Sequence, residues 1–237
     1  MRGETMGDGL NAVQGRRAVV KNAAVLAGVL AVPSSVLAAA QKLSQEQLKP
    51  LSQPPVPGFS RPAAVTSSKV VRPQLLRRAL ASLDAQGSRV KRDRIAICDF
   101  AAASAQARFH LVDLHGGSSK SYLVSHGSGS DPRHTGWLQR FSNQEGSNAS
   151  SEGAFLTSDY YHGKHGRSQR LIGLDPTNDA ALQRAIVVHA AWYANPDMLR
   201  THGMLGRSQG CFAVGEKDLA EVFARLGEGR MIYAAKV

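Results

Sequence analysis

The chain has 237 residues, 43% of them hydrophobic and 20% charged, which suits one globular domain with appendages. Its net charge of +11 favours anionic partners such as nucleic acid, anionic lipid or cell-wall polymer. No zinc-finger spacing, RNA-binding aromatic motif or basic heptad region accompanies that charge, so nucleic acid is not an expected partner. Two cysteines are too few for a disulfide scaffold, and 23 glycines favour a loop-rich or β-rich body over a helical bundle.

Residues 1–40 read as an export signal. A basic stretch, GRRAVVK at Gly15–Lys21, precedes an apolar run from Ala23 to Val32, and small residues then end at Ala38 and Ala40. The apolar run stops at Pro33, short of the roughly 18 residues that would span a bilayer. The pair Arg16–Arg17 resembles a twin-arginine signal, without the usual Ser/Thr before it or Phe-Leu after it. These features predict a periplasmic protein, cleaved after Ala38 or Ala40, whose membrane contact is a transient one through the signal. Removing the segment leaves 25 basic and 16 acidic residues, or +9.

Residues 41–71 form a linker interrupted by Pro50, Pro54, Pro55, Pro57 and Pro62. Residues 72–87 then predict an amphipathic helix. Pro73 suits its first turn, Leu75, Leu76, Ala79, Leu80 and Leu83 form one apolar stripe, and Gly87 ends it. The stripe reads as packing against the body at 88–237.

That body changes to short β segments with Gly/Ser-rich turns. Strands are expected at Ile95–Phe100, Phe109–Leu114, Ser121–Val124, Ala154–Thr157, Ile186–Ala190 and Met231–Ala235. Short helices are expected at Asp179–Arg184 and Glu216–Leu226, the latter starting just after Cys211. Ser142–Gly153 (SNQEGSNASSEG) reads as a flexible loop or the border of a site.

Cys211 is the residue best placed for chemistry, because thiolates are strong nucleophiles where a base or positive field favours them. It ends GRSQGC, with Arg207, Ser208, Gln209 and Gly210 before it. A glycine beside the nucleophile lets backbone N–H groups approach a reacting carbonyl as an oxyanion hole. Arg207 adds charge, for a substrate carboxylate or for a fold-holding salt bridge. Ser208 can fix the turn through side-chain bonds. Cys98, inside IAICDF, reads as a small buried hydrophobe.

No histidine follows His202, so a base for Cys211 must come from upstream. His189 ends the apolar run IVVH and would sit at a strand tip, a rigid position. His202, in THGMLG, is nearer in sequence but lies in a turn. His162 and His165 in YHGKHG lack a clear third ligand, so no metal site is expected, and no cofactor either.

From Ile95 to Val237 the chain resembles the L,D-transpeptidase catalytic domain of YkuD-type fold, in its divergent murein branch. The resemblance runs in order through IAICDF, HLVDL, YLVSHGSGS, FSNQEGSNASSEGAFLT, YYHGKHGRSQRLIGLDPTND, RAIVVHAAWY and LGRSQGCFAV. It implies a mainly β (β-rich α+β) fold, a sandwich or barrel with short flanking helices, acting on peptidoglycan stem peptides. It implies Cys211 as nucleophile and His189 as base, oriented by the Ala190 carbonyl or by Ser208. His126, Ser151 and His202 are the remaining candidates for substrate contact. Where many relatives carry histidine between Ser and Gly, this chain has Gln209, and Phe212–Val214 replaces the arginine-containing segment of the commoner branch. The alternatives are an L,D-carboxypeptidase or cross-link hydrolase of the same fold, or a non-catalytic wall-binding module.

Overall fold

The computed structural model describes residues 70–237. The signal segment and nearly all of the Pro-rich linker predicted above lie outside the described residues. Among the described residues no helix is long and apolar enough to cross a membrane.

Nine strands form one hydrogen-bonded sheet. In chain order they are β1 (Arg94–Asp99), β2 (Phe109–Asp113), β3 (Ser119–Tyr122), β4 (Val124–Ser125) and β5 (Gly153–Gly163). They continue as β6 (Gly166–Gly173), β7 (Val187–Ala190), β8 (Phe212–Val214) and β9 (Met231–Ala235). Across the sheet the order is β3-β2-β1-β9-β5-β6-β7-β8-β4.

The two end strands of that order, β3 and β4, are separated in sequence by Leu123 alone. Two peptide steps reach at most about 7 Å, so the sheet must curl until its ends meet, as in a barrel. The predicted strand Ser121–Val124 is therefore two strands, broken where the chain passes from one end of the sheet to the other. Arg108 clamps this seam from inside. Its backbone N–H donates to Tyr122 O at 3.1 Å, and its Nε and Nη2 donate to Val124 O at 3.1 and 2.9 Å.

The period-two alternation of the strands sorts side chains into two layers. Ala96 and Cys98 of β1, Phe155 of β5, and Ile232 and Ala234 of β9 face the interior. There they join Phe109, Val188, Phe212 and Val214, with Val222, Phe223 and Leu226 of the helix α3 (Leu219–Leu226). Ile95, Ile97, Ala154, Met231 and Ala235 face outward and are covered by Leu75, Ala79 and Leu83 of the helix α1 (Pro73–Gln86). Burying each such leucine stabilises by roughly 1.5–3 kcal/mol. Pro73 opens α1, and Gly87, at φ +54°, ends it as the sequence leads one to expect.

Two expectations are corrected, and two elements are new. Asp179–Arg184 forms turns and not a helix, because the chain there is set by Asn178, whose Oδ1 accepts from Asp175 N–H while its own N–H donates to Asp175 O. The helix after Cys211 begins only at Leu219, since β8 intervenes. β6 and the helix α2 (Pro196–His202) were not anticipated from the sequence.

Candidate functional site

β7 and β8 are parallel neighbours, with Val188 opposite Phe212 and His189 opposite Ala213. Extending that register back by one residue sets Cys211 beside Val187. Val188 and Phe212 face the core, so Cys211, Val187 and His189 share the other face. Cys211 and His189 are thus diagonal neighbours, and both line an open groove of about 770 Å3. Hydrogen-bond contact of Cys211 with the β7 strand is direct: the Val187 backbone N–H favours its thiolate. In the thiol form Sγ donates to Ala185 O at 3.5 Å.

The turn that presents the cysteine is built by Ser208 and Gly210. Ser208 Oγ accepts from Gly210 N–H at 3.1 Å and donates to Cys211 O at 2.7 Å. The turn is tied to the segment after β4, where Ser208 N–H donates to His126 O at 2.9 Å and Ser208 O accepts from Ser128 N–H at 2.8 Å. Gly210 has φ +113°, and a Cβ there would lie 2.7 Å from Ala149 O and 2.8 Å from Ile186 Cδ1. Only glycine fits. Gln209 is exposed on the groove rim.

His189 is 1% exposed. Its Nδ1 donates to Ala190 O at 2.8 Å, which fixes the tautomer and leaves Nε2 as the acceptor. Of the two proposed orienting groups, Ala190 makes this contact, while Ser208 is engaged in the cysteine turn. The His189 pKa is lowered to about 4, chiefly by burial, with the Ala190 bond opposing and the His165 and Lys164 charges contributing. Burial also raises the Cys211 pKa, against the Val187 N–H and the Lys164 and Arg184 charges. At neutral pH the pair therefore rests as thiol and neutral imidazole.

The other expected contacts are distributed differently. Among the described residues Arg207 makes no salt bridge, and it lines the groove. Its Nη1 donates to the carbonyls of Asp131 and Pro132, which fixes the loop beside the groove. His126 is 1% exposed and not a groove residue. Its Nδ1 accepts from Arg108 Nη2 at 2.8 Å, Nε2 stands 3.4 Å from Asp131 Oδ2, and burial lowers its pKa to about 4. Ser151, also 1% exposed, donates to Ser142 O and accepts from Arg184 Nη1 at 2.6 Å. Both support the groove wall from behind. His202 is exposed at the end of α2, away from the groove lining. Cys98 is fully buried in the interior core, and burial raises its pKa.

Three residues at the groove were missed by sequence reasoning. Arg184 donates to Ser142 O, Ser151 Oγ, Ser147 Oγ and Ala149 O, anchoring the Ser142–Gly153 segment beneath the cysteine turn. That segment borders the site, with Glu145, Gly146 and Asn148 in the lining. Lys164 and His165 come from the β5–β6 turn, and the His165 ring stacks on His189 with centroids 4.3 Å apart. Among the described residues no group of three or more His, Cys, Asp or Glu could hold a metal ion.

Residues 67–235 match the L,D-transpeptidase catalytic domain family, and the chain belongs to that family. The match begins before α1 and so includes the helix with the sheet.

Similar solved structures include an L,D-transpeptidase from Mycobacterium smegmatis, at 13% identity and TM-score 0.38, covering 60% of this chain and 58% of that one. One from Xylanimonas cellulosilytica has 14% identity, TM-score 0.36 and coverage of 67% and 69%. The helical cell shape determining protein Pgp2 from Campylobacter jejuni has 9% identity, TM-score 0.40 and coverage of 70% and 57%. The chain spans less than two thirds of the length of the mycobacterial structures it resembles. No match is found among curated proteins.

Proposed function

We propose that this protein is an exported L,D-transpeptidase that acts through a Cys211 thioester on peptidoglycan stem peptides. The observation that carries the reading is the placement of Cys211 and His189 on one face of adjacent strands, in one groove, with His189 Nδ1 committed to Ala190 O.

In the acylation step His189 Nε2 takes the thiol proton as sulfur attacks the carbonyl of an L-centre to D-centre bond. The Cys211 backbone N–H receives the oxyanion, since Gly210 N–H is taken by Ser208 Oγ, and loss of such a donor costs roughly 3–4 kcal/mol. The C–N bond breaks, and the proton on His189 passes to the leaving amine. An amine from a second stem then attacks the thioester and gives its proton to His189. The C–S bond breaks, and the thiol is restored from that imidazolium. Lys164 is exposed in the groove with no ion pair among the described residues. With Arg207, which also lines the groove, it is a cation suited to a substrate carboxylate. Export rests on the Arg16–Arg17 and Ala38/Ala40 features of the sequence.

The test is muropeptide mass spectrometry with purified sacculi, using wild type and Cys211→Ala. Cross-linked dimers from wild type and none from the variant are expected, and a carbapenem should acylate Cys211. Shortened monomers without dimers would assign water as the acceptor and make the enzyme a carboxypeptidase. Acylation of Cys98, or product from Cys211→Ala, would overturn the assignment.

A further inference from the structure

The β5–β6 hairpin reaches beyond the sheet. β5 and β6 pair to the very tip, where Gly163 stands opposite Gly166 and leaves only Lys164 and His165 as the turn. A register shift between Thr157 and Tyr160 bends the ribbon, since a bulge adds local twist. β6 also pairs with β7, so the bent hairpin is held against the strand that carries His189. Arg170 lies over the Tyr161 ring at 4.1 Å, and Arg167 over Tyr160 at 4.6 Å, stiffening the two arms.

The tip delivers the His165 ring onto the His189 ring, with centroids 4.3 Å apart and planes 23° from parallel. His165 is itself solvent-exposed, whereas His189 beneath it is 1% exposed. An exposed residue at the end of a two-residue turn gains little packing for the fold. Its one ring contact is with the candidate base.

We propose that His165 is a positioning residue for the reaction: its ring roofs His189, keeps water from the imidazole and holds the plane in which Nε2 meets the Cys211 thiol. This rests on the assignment of His189 as base. The Ala190 carbonyl fixes one edge of the ring and the stack fixes its face, so two contacts determine its orientation. The charged and titratable groups that share the groove with His189 are Glu145 from the Ser142–Gly153 segment, Tyr161, Lys164 and His165 from the hairpin, Arg184 before β7, Tyr193 after it, and Arg207 and Cys211 from the cysteine turn. A dry, roofed imidazole in that mostly cationic setting stays unprotonated well below its ordinary pKa, ready to accept the thiol proton.

The experiment uses the full chain labelled at histidine, as wild type, His165→Ala and His165→Phe. Two quantities are followed against pH: the His189 ring resonances, and the rate of Cys211 alkylation by iodoacetamide. In wild type both should turn near pH 4. His165→Ala hydrates the imidazole and should raise the midpoint by about one pH unit or more, cutting alkylation at pH 5 about twofold or more. His165→Phe keeps a flat ring on the stack and should stay near wild type. The His126 resonances, from a site remote from the hairpin tip, verify that each variant is folded. An unchanged His189 midpoint in His165→Ala, or a His165→Phe variant that shifts as far as His165→Ala, overturns the proposal. The titration needs no turnover, so a wild type that forms no cross-links would refute the transpeptidase reading while leaving this result to be read separately.

Discussion

Replacing Gly210 with alanine tests how tightly the cysteine turn is built. The new methyl would sit 2.7 Å from the Ala149 carbonyl oxygen, 2.8 Å from Ile186 Cδ1 and 3.2 Å from Arg184 Nη2. The isoleucine methyl can rotate away, but the carbonyl is backbone and is itself held by Arg184 Nη2 at 2.6 Å. Backbone strain at φ +113° adds about 1–3 kcal/mol, and overpacking about 1–3 kcal/mol. Alanine gains only about 0.4–1 kcal/mol from a less flexible unfolded chain. The net expectation is a loss on the order of 2–5 kcal/mol, large beside a total stability of about 5–15 kcal/mol. Urea unfolding reads the loss, and iodoacetamide alkylation of Cys211 reports the displaced turn. Gly117→Ala is the control, because Gly117 also has positive φ (+68°) but meets nothing within 4 Å. The reasoning fails if Gly210→Ala is no more destabilising than Gly117→Ala, or if Cys211 reacts at the wild-type rate.

Arg108→Met should destabilise by about 3 kcal/mol or more in urea, since it strips the donors from the buried Val124 carbonyl and the half-buried Ala102 carbonyl and opens the seam. A loss below about 1 kcal/mol would mean that the seam closes without it. Stability should also fall as pH drops from 6.5 towards 4, because His126 and His189 are held neutral when folded, each with a pKa near 4, but take protons from pH 6.5 downward when unfolded. Between those values the unfolded state binds more protons, so the urea midpoint should rise with pH and level off above 6.5. A flat or falling midpoint over that window contradicts the burial of these rings.

The sequence disclosed elements whose pattern is local. MIYAA is a short apolar run and becomes β9, and the leucine stripe becomes α1. The pair Cys211–His189 was legible because each residue adjoins a short apolar strand that fixes where it points. β6 was illegible because GRSQRLIG carries arginines and a glutamine where an apolar alternation would be sought. Gln169 is buried nonetheless, its Nε2 donating to the carbonyls of Ser158 and Gly227. His165 and Arg184 reach the site through a hairpin and a turn, so only the sheet order reveals their proximity to it. His126 misled for the opposite reason: its HGSGS setting looks like a site loop, yet the curled seam buries the ring under Arg108 and Asp131.

The place of β9 has a consequence for the time course of biosynthesis. β9 lies between β1 and β5 and is bonded to both, with Ile95 opposite Met231 and Gly153 opposite Ala234. A chain emerging from the ribosome can form the β5–β6 hairpin early, but its sheet stays in two pieces until residue 235 has been made. The apolar interior faces of β1 and β5 meanwhile await their shared neighbour, a slow, long-range closure. A chaperone that binds the polypeptide before β9 docks would meet it with its central gap still open. A truncation at residue 230 would leave that gap for good, although it spares every residue of the proposed active site.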